Sequence, residues 1–362
     1  MLHAKAGIAQ IRPHMRGGHD ESLPPITVAL NSNENAYGPS ANALAAARAA
    51  VSSFERYLEN PGRILASALA DRFDLDARRI AIGPGSDGLL AQLARAYLGP
   101  GSQLVRSANG YLKVPNYAYA NDAEAVSVED DCFRPSVDNM IAALNERTRI
   151  VYLANPENPA GTHVSGKEVR RLHAALPDNV LLVIDSAYEE YCDGQGYESA
   201  TRLVEEADNV VMCRTFSKIF GLAGARVGWL YGPEQVVDTV NRIGLTFPVA
   251  SPSVAAAVAA LEDAVHTEFV ARANEQERRW MTAEMEALGL SVVPSQTNFI
   301  LVHFGSKEKT AEVATAALRR QGIALRRFAS PAYREHVRIT LGHHHDLAAA
   351  RDALFNFLEG AA

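Results

Sequence analysis

The chain has 362 residues, of which 48% are hydrophobic and 21% charged, with a formal net charge of −7. That length allows two bodies and a large core, because single cores stop growing near roughly 250–300 residues, and the composition excludes a disordered chain. The acidic balance leaves no footprint for nucleic acid or an anionic membrane, and Cys132, Cys192 and Cys213, without CxxC spacing, give neither a disulfide framework nor a zinc site and suit a reducing cytosol.

The first residues are polar, with no apolar stretch of the kind a secretory signal needs. No run approaches the roughly 20 apolar residues that span a bilayer. The expected location is therefore the cytoplasm. Strands are predicted at 79–82, 103–106, 125–128, 149–153, 180–184, 210–214 and 226–231, with helices between them at 87–98, 136–144 and 165–176. Apolar residues recur every three or four positions in the helices, and the alternation predicts α/β layers on a mainly parallel sheet. From about Ser251 the texture changes. The weakly polar stretch 249–261 reads as a buried helix and its lead-in, and helical pattern continues to about Leu288. Strands at 299–303 and 337–341 and helices at 309–321 and 347–358 then predict a smaller α+β body.

Chemistry concentrates at the ends of the predicted strands. After the strand 210–214 comes Thr215-Phe-Ser217-Lys218-Ile-Phe-Gly-Leu-Ala-Gly-Ala-Arg226. A lysine on such a turn, desolvated near other cations, can attack an aldehyde and form an imine. Thr215 and Ser217 offer hydroxyls, and Arg226 offers a fork suited to phosphate. Taken singly, these are more often a surface lysine and a salt-bridged arginine. Asp185 ends the apolar strand before Ser-Ala-Tyr188, where open α/β sheets bind ligands. A carboxylate there can keep a ring nitrogen protonated or simply cap a helix. Ile82-Gly-Pro-Gly-Ser86-Asp87-Gly88 joins a strand to a helix and can cradle phosphate on backbone N–H groups, or be a plain tight turn. Asn155-Pro-Glu-Asn158-Pro-Ala-Gly161 is a rigid turn presenting an amide. Tyr111, just past another strand, can stack on a flat ring or belong to the core.

In this order the segments resemble the fold-type I pyridoxal-phosphate aminotransferases, in particular the histidinol-phosphate aminotransferase-like group. The resemblance runs from about Ala29 to Gly342. Further motifs that carry it are Leu30-Asn-Ser-Asn33-Glu-Asn35-Ala-Tyr37-Gly-Pro39, Arg56-Tyr57, Thr297-Asn298-Phe299 and Val337-Arg338-Ile-Thr-Leu-Gly342. The resemblance implies an aspartate aminotransferase-like fold: a large pyridoxal-phosphate-binding domain over 40–250, with a mainly parallel seven-stranded sheet between helices. A smaller α+β domain would comprise 1–39 and 251–362.

It also implies roles. Lys218 would hold pyridoxal 5′-phosphate as a Schiff base and shuttle the proton, Asp185 would pair with the pyridine nitrogen, and Tyr188 and Asn158 would bind the ring oxygen. Tyr111 would stack on the ring. The phosphate would be held by Ser86 and Asp87 through their backbone, with Thr215, Ser217, Arg226 and, across a homodimer, Tyr57. Arg338 would clamp the α-carboxylate of the substrate, with Arg326, Tyr37 and Asn35 on the substrate side. The implied activity is amino transfer from glutamate, with histidinol phosphate and imidazole-acetol phosphate as the first substrate pair. An aromatic amino-acid aminotransferase and a threonine-phosphate decarboxylase-like enzyme are the alternatives. The chain departs from the family at Ala36, Leu58, Gly88 and Ala160, before Tyr111 where a proline is missing, and in the unusual stretch Arg12-Pro-His-Met-Arg-Gly-Gly-His19. A regulator with an added DNA-binding domain is not expected, because the chain begins almost directly with its arm. Nor is a metal: His343, His344 and His345 are adjacent on a loop and point in different directions, with no carboxylate cluster to complete a site.

Overall fold

A computed structural model of the chain describes residues 2–11 and 22–360; the stretch Arg12–His19 lies outside them. Seven strands form one sheet in the order Ile80–Gly83, Gly228–Tyr231, Val210–Thr215, Leu181–Asp185, Thr148–Ala154, Gln103–Ser107 and Glu124–Val128. Gly228–Tyr231 runs antiparallel to both neighbours, and the other adjacent pairs are parallel. Central strands read as unbroken apolar runs because both faces are covered: all five residues of Leu181–Asp185 are buried. Separate cores lie on the two faces, one around Leu153, Leu182 and Trp229, the other around Leu93, Val183 and Leu230. Each fully buried Leu or Val contributes roughly 1.5–3 kcal/mol.

A third core, around Met281, Ile300 and Ile339, marks the smaller body. There Phe299–His303 pairs antiparallel with His336–Thr340 and Ser291–Val293. The N-terminal arm joins it through Val28–Leu30, parallel to Ile323–Leu325.

Most sequence-predicted elements stand within a residue or two of their expected bounds. Two corrections arise from capping and from backbone. The pattern continuing to Leu288 is two helices, Ser251–Glu262 and Ala264–Ala287. Asp263 leaves helical geometry between them, and its side chain accepts from the His266 N–H, capping the second helix. The strand expected from Arg226 starts at Gly228, because Arg226 sits at φ 55° in the left-handed region. Helix Ser251–Glu262 packs on Ala41–Ala50, and its Val254, Ala257 and Leu261 belong to a core of the large sheet.

Candidate active site

The C-terminal ends of the parallel strands bring the chemistry-bearing side chains to one edge of the sheet. Asp185, last in its strand, is 7% exposed. Its Oδ2 accepts from the Tyr152 hydroxyl at 2.7 Å, while Oδ1 is buried without a partner. Burial pushes its pKa up to about 6, and the charges of Asp87 and Lys218 act on it in opposite directions. Lys218 follows the neighbouring strand, half-buried, with Nζ 5.6 Å from the Tyr188 ring centroid and 3.4 Å from the Asn33 carbonyl, to which it donates. Tyr188 packs edge-on against Phe299 and accepts at its hydroxyl from Asn33 Nδ2 at 2.9 Å.

Helix Gly85–Tyr97 opens at the end of strand Ile80–Gly83, so the N–H groups of Ser86 and Asp87 sit at a helix N-terminus. Two glycines allow a close approach here. A Cβ on Gly228 would collide with the backbone of Gly85 and Ser86, and one on Gly85 would meet the Arg226 guanidinium. Arg226 donates to Ser217 Oγ at 3.2 Å, and Thr215 Oγ1 accepts from the Ser217 N–H at 3.1 Å. Helix start, two hydroxyls and a guanidinium thus form one anion cradle.

Asp87 does more with its side chain than the sequence suggested. It accepts from Tyr111, at 3.0 Å, and from Tyr117 and Lys113, both at 2.6 Å. Burial acts to raise its pKa, but these hydrogen bonds and the Lys113 charge outweigh burial and hold it below the usual value. The Tyr111 ring is thereby anchored by its far end.

On the opposite side, Arg338 is 6% exposed and lies between the rings of Phe299 and Phe328, 5.1 and 5.3 Å from their centroids. It donates to Asn158 Oδ1 at 2.8 Å and to the Asn31 carbonyl at 3.1 Å, and its Nε is buried without a partner. Burial brings its pKa down to about 10. Arg326 pairs with it through backbone hydrogen bonds of 3.0 and 2.9 Å. Neither guanidinium is in an ion pair with a carboxylate among the described residues, so the two cations suit an acidic ligand. Asn35 donates to the Ile219 carbonyl at 2.8 Å, beside Lys218, and accepts from the Tyr37 N–H. Tyr37 packs edge-on against Phe269 and His343.

Tyr57 is the exception. It is 79% exposed and stacks on Phe247 at 4.1 Å, on the surface of the single chain. Of the histidine triplet, His344 binds Glu277 and packs on Trp280, and His343 packs on Tyr37. No group of three or more metal-ligating side chains occurs among the described residues. Sequence reasoning missed three contributors. Tyr152 looked like one more core residue of an apolar strand, Asn33 was one letter of a motif, and so was Glu157, whose buried carboxylate accepts from the Asn158 N–H at 2.9 Å.

A half-buried lysine, a buried carboxylate with an unpartnered oxygen and an anion cradle together suit a flat, phosphorylated, nitrogen-containing ring. The unpartnered Asp185 Oδ1 is the acceptor a protonated ring nitrogen needs, and the glycine pair leaves room for phosphate. Fold and site therefore define the class as a fold-type I enzyme of amino-group chemistry. Comparison with known proteins agrees: residues 25–354 match the model of aminotransferase class I and II. The chain belongs to that family. It is 42% identical over 356 residues to a histidinol-phosphate aminotransferase of Rhodospirillum centenum, covering 98% of each chain. It is also 42% identical over 338 residues to that of Rhodopseudomonas palustris strain BisB18, covering 93% of each. Among solved structures, histidinol-phosphate aminotransferase from Sinorhizobium meliloti in complex with pyridoxal-5′-phosphate superposes with a TM-score of 0.88 at 30% identity, over 93% of this chain and 92% of that one.

Proposed function

We propose that the chain is a pyridoxal-phosphate-dependent aminotransferase that moves an amino group between glutamate and a small phosphorylated oxo compound, with histidinol phosphate and imidazole-acetol phosphate as the pair. The observation that carries this reading is the buried Asp185 with an unpartnered Oδ1, within electrostatic reach of Lys218, together with two arginines that make no ion pair among the described residues. When bound, the cofactor supplies an electron sink for the pair left at Cα when its proton is removed.

The chain's own residues do the rest. Lys218 would hold the cofactor, and its free amine would take the proton from the substrate Cα and deliver it to the cofactor carbon. Asp185 Oδ1 would keep the ring nitrogen protonated, Tyr188 and Asn158 would bind the ring oxygen, and Tyr111 would stack on the ring. Ser86, Asp87, Thr215, Ser217 and Arg226 would hold the phosphate. Arg338 would grip the α-carboxylate of glutamate, and Arg326, with Tyr37 and Asn35, would serve the substrate side, where a phosphate could bind. The working unit is a homodimer in the cytoplasm. Tyr57, 79% exposed and stacked on the exposed Phe247, offers apolar surface that a second copy would cover, and a monomer in sedimentation would refute it. No described helix is long and apolar enough to cross a membrane.

The test is a panel of amino donors and oxo acceptors, with Lys218→Ala as the blank. Glutamate should convert bound cofactor to its amine form in the wild type alone, and imidazole-acetol phosphate should restore the starting form. Restoration only by aromatic oxo acids would move the substrate assignment. Carbon dioxide release from a phosphorylated amino acid without an acceptor, or equal turnover by the blank, would refute amino transfer.

A further inference from the structure

Asn33, on the N-terminal arm, is 2% exposed and holds the left-handed backbone region at φ 54°. That conformation is uncommon outside glycine, and asparagine tolerates it better than most residues. The smaller body holds it in place. Thr340 Oγ1 accepts from the Asn33 N–H at 2.9 Å, and Asn298 Nδ2 donates to the Asn33 carbonyl at 3.1 Å. The same carbonyl accepts from Lys218 Nζ.

The amide orientation follows from this network. The Thr340 hydroxyl already accepts, so its proton goes to Asn33 Oδ1, 3.2 Å away. Nδ2 is therefore the group that faces Tyr188, and it donates to the phenol oxygen at 2.9 Å. A phenol has one proton, and with its oxygen serving as acceptor for Asn33 that proton is left free for another acceptor. A hydroxyl that accepts one hydrogen bond is polarised into a stronger donor.

We infer that Asn33 is a positioning residue that aims the Tyr188 proton at the ring oxygen of the cofactor and ties that aim to the seating of the arm on Thr340. The inference rests on the proposed reading, in which Lys218 carries the cofactor beside that oxygen. A strong donor to the oxygen stabilises its negative charge, and so lowers the proton affinity of the neighbouring nitrogen through which Lys218 is linked. Removing the donor makes that nitrogen keep its proton to higher pH.

The experiment is a pH titration of the visible absorbance of the holoenzyme, which reports protonation at the Lys218 linkage without turnover. Asn33→Asp keeps the shape and the tolerance of φ 54° but replaces the donor by an acceptor. Asn33→Gly adopts that backbone freely and removes the donor without adding charge. Both should raise the titration midpoint by about one pH unit, the size of one hydrogen bond to a charged network. In a Tyr188→Phe background Asn33→Gly should not shift it further, since the effect passes through the phenol. Midpoints equal to wild type would overturn the inference, as would equal shifts by Asn33→Gly with and without the Tyr188 hydroxyl. A wild type that never gains a visible band with the cofactor would instead overturn the reading beneath it.

Discussion

Tyr152→Phe removes one oxygen atom from a side chain that is 3% exposed, and it tests how Asp185 is tuned. The wild-type hydroxyl donates to Asp185 Oδ2 at 2.7 Å. Without it that oxygen is buried and unpaired, an expense of about 1–3 kcal/mol that falls on the ionised carboxylate. Burial has already brought the Asp185 pKa up to about 6, and the Tyr152 hydrogen bond is the largest influence pulling it back. The variant carboxyl therefore titrates higher, and near neutral pH more of it is protonated and unable to accept from a ring N–H. At about 1.4 kcal/mol per factor of ten, cofactor binding should weaken roughly ten- to a hundredfold. The assay is titration of cofactor-free protein with pyridoxal phosphate, followed by absorbance across the range in which Asp185 ionises. Affinity should fall and its pH midpoint should move to higher pH. Unchanged affinity with an unchanged midpoint would refute the reasoning, and a lower melting temperature alone would leave Tyr152 a packing residue.

Glu157, 2% exposed, has its pKa pushed up to about 8 by burial, against which the Asn158 N–H and the Arg106 charge act only in part. The folded-state pKa lies above the unfolded one, so the stability its neutral form contributes is fully present below about 4.5 and is lost as pH rises through about 8. Glu157→Gln should accordingly melt above wild type in alkaline buffer and close to it at mildly acidic pH; an equal difference at both would reject the assignment. Arg338→Ala should lower kcat/KM at least about a hundredfold, because it removes a desolvated charged fork. Arg338→Lys should recover only part, having charge without the planar geometry, and steady-state kinetics with glutamate decides it; full recovery by lysine would show that charge alone matters.

Much of the site was legible because its chemistry lies in short local signals. A lysine after an apolar strand, a carboxylate ending the next, and glycines where a strand meets a helix each stand where covalent backbone geometry puts them. The alternating elements likewise declared a doubly wound sheet, because apolar periodicity is a property of neighbours in the chain. The break at Asp263 was less visible, since a helix former on each side masks a cap until its side chain is seen to turn back.

Tertiary structure alone decided which of these groups act together. Asn33 meets Thr340 across 307 positions and Tyr188 across 155, and Arg338 reaches Asn158 across 180. Tyr152 reads as core from its own strand, and only the parallel register that sets Ala154 against Asp185 brings its hydroxyl to the carboxylate. Periodicity records which face of an element is buried, whereas a hydrogen bond depends on where a distant segment ends. Composition and motifs therefore determined the fold class and the candidate reacting groups, while the orientation of the donors came from strand register for Tyr152 and from the packing of the arm against distant segments for Asn33.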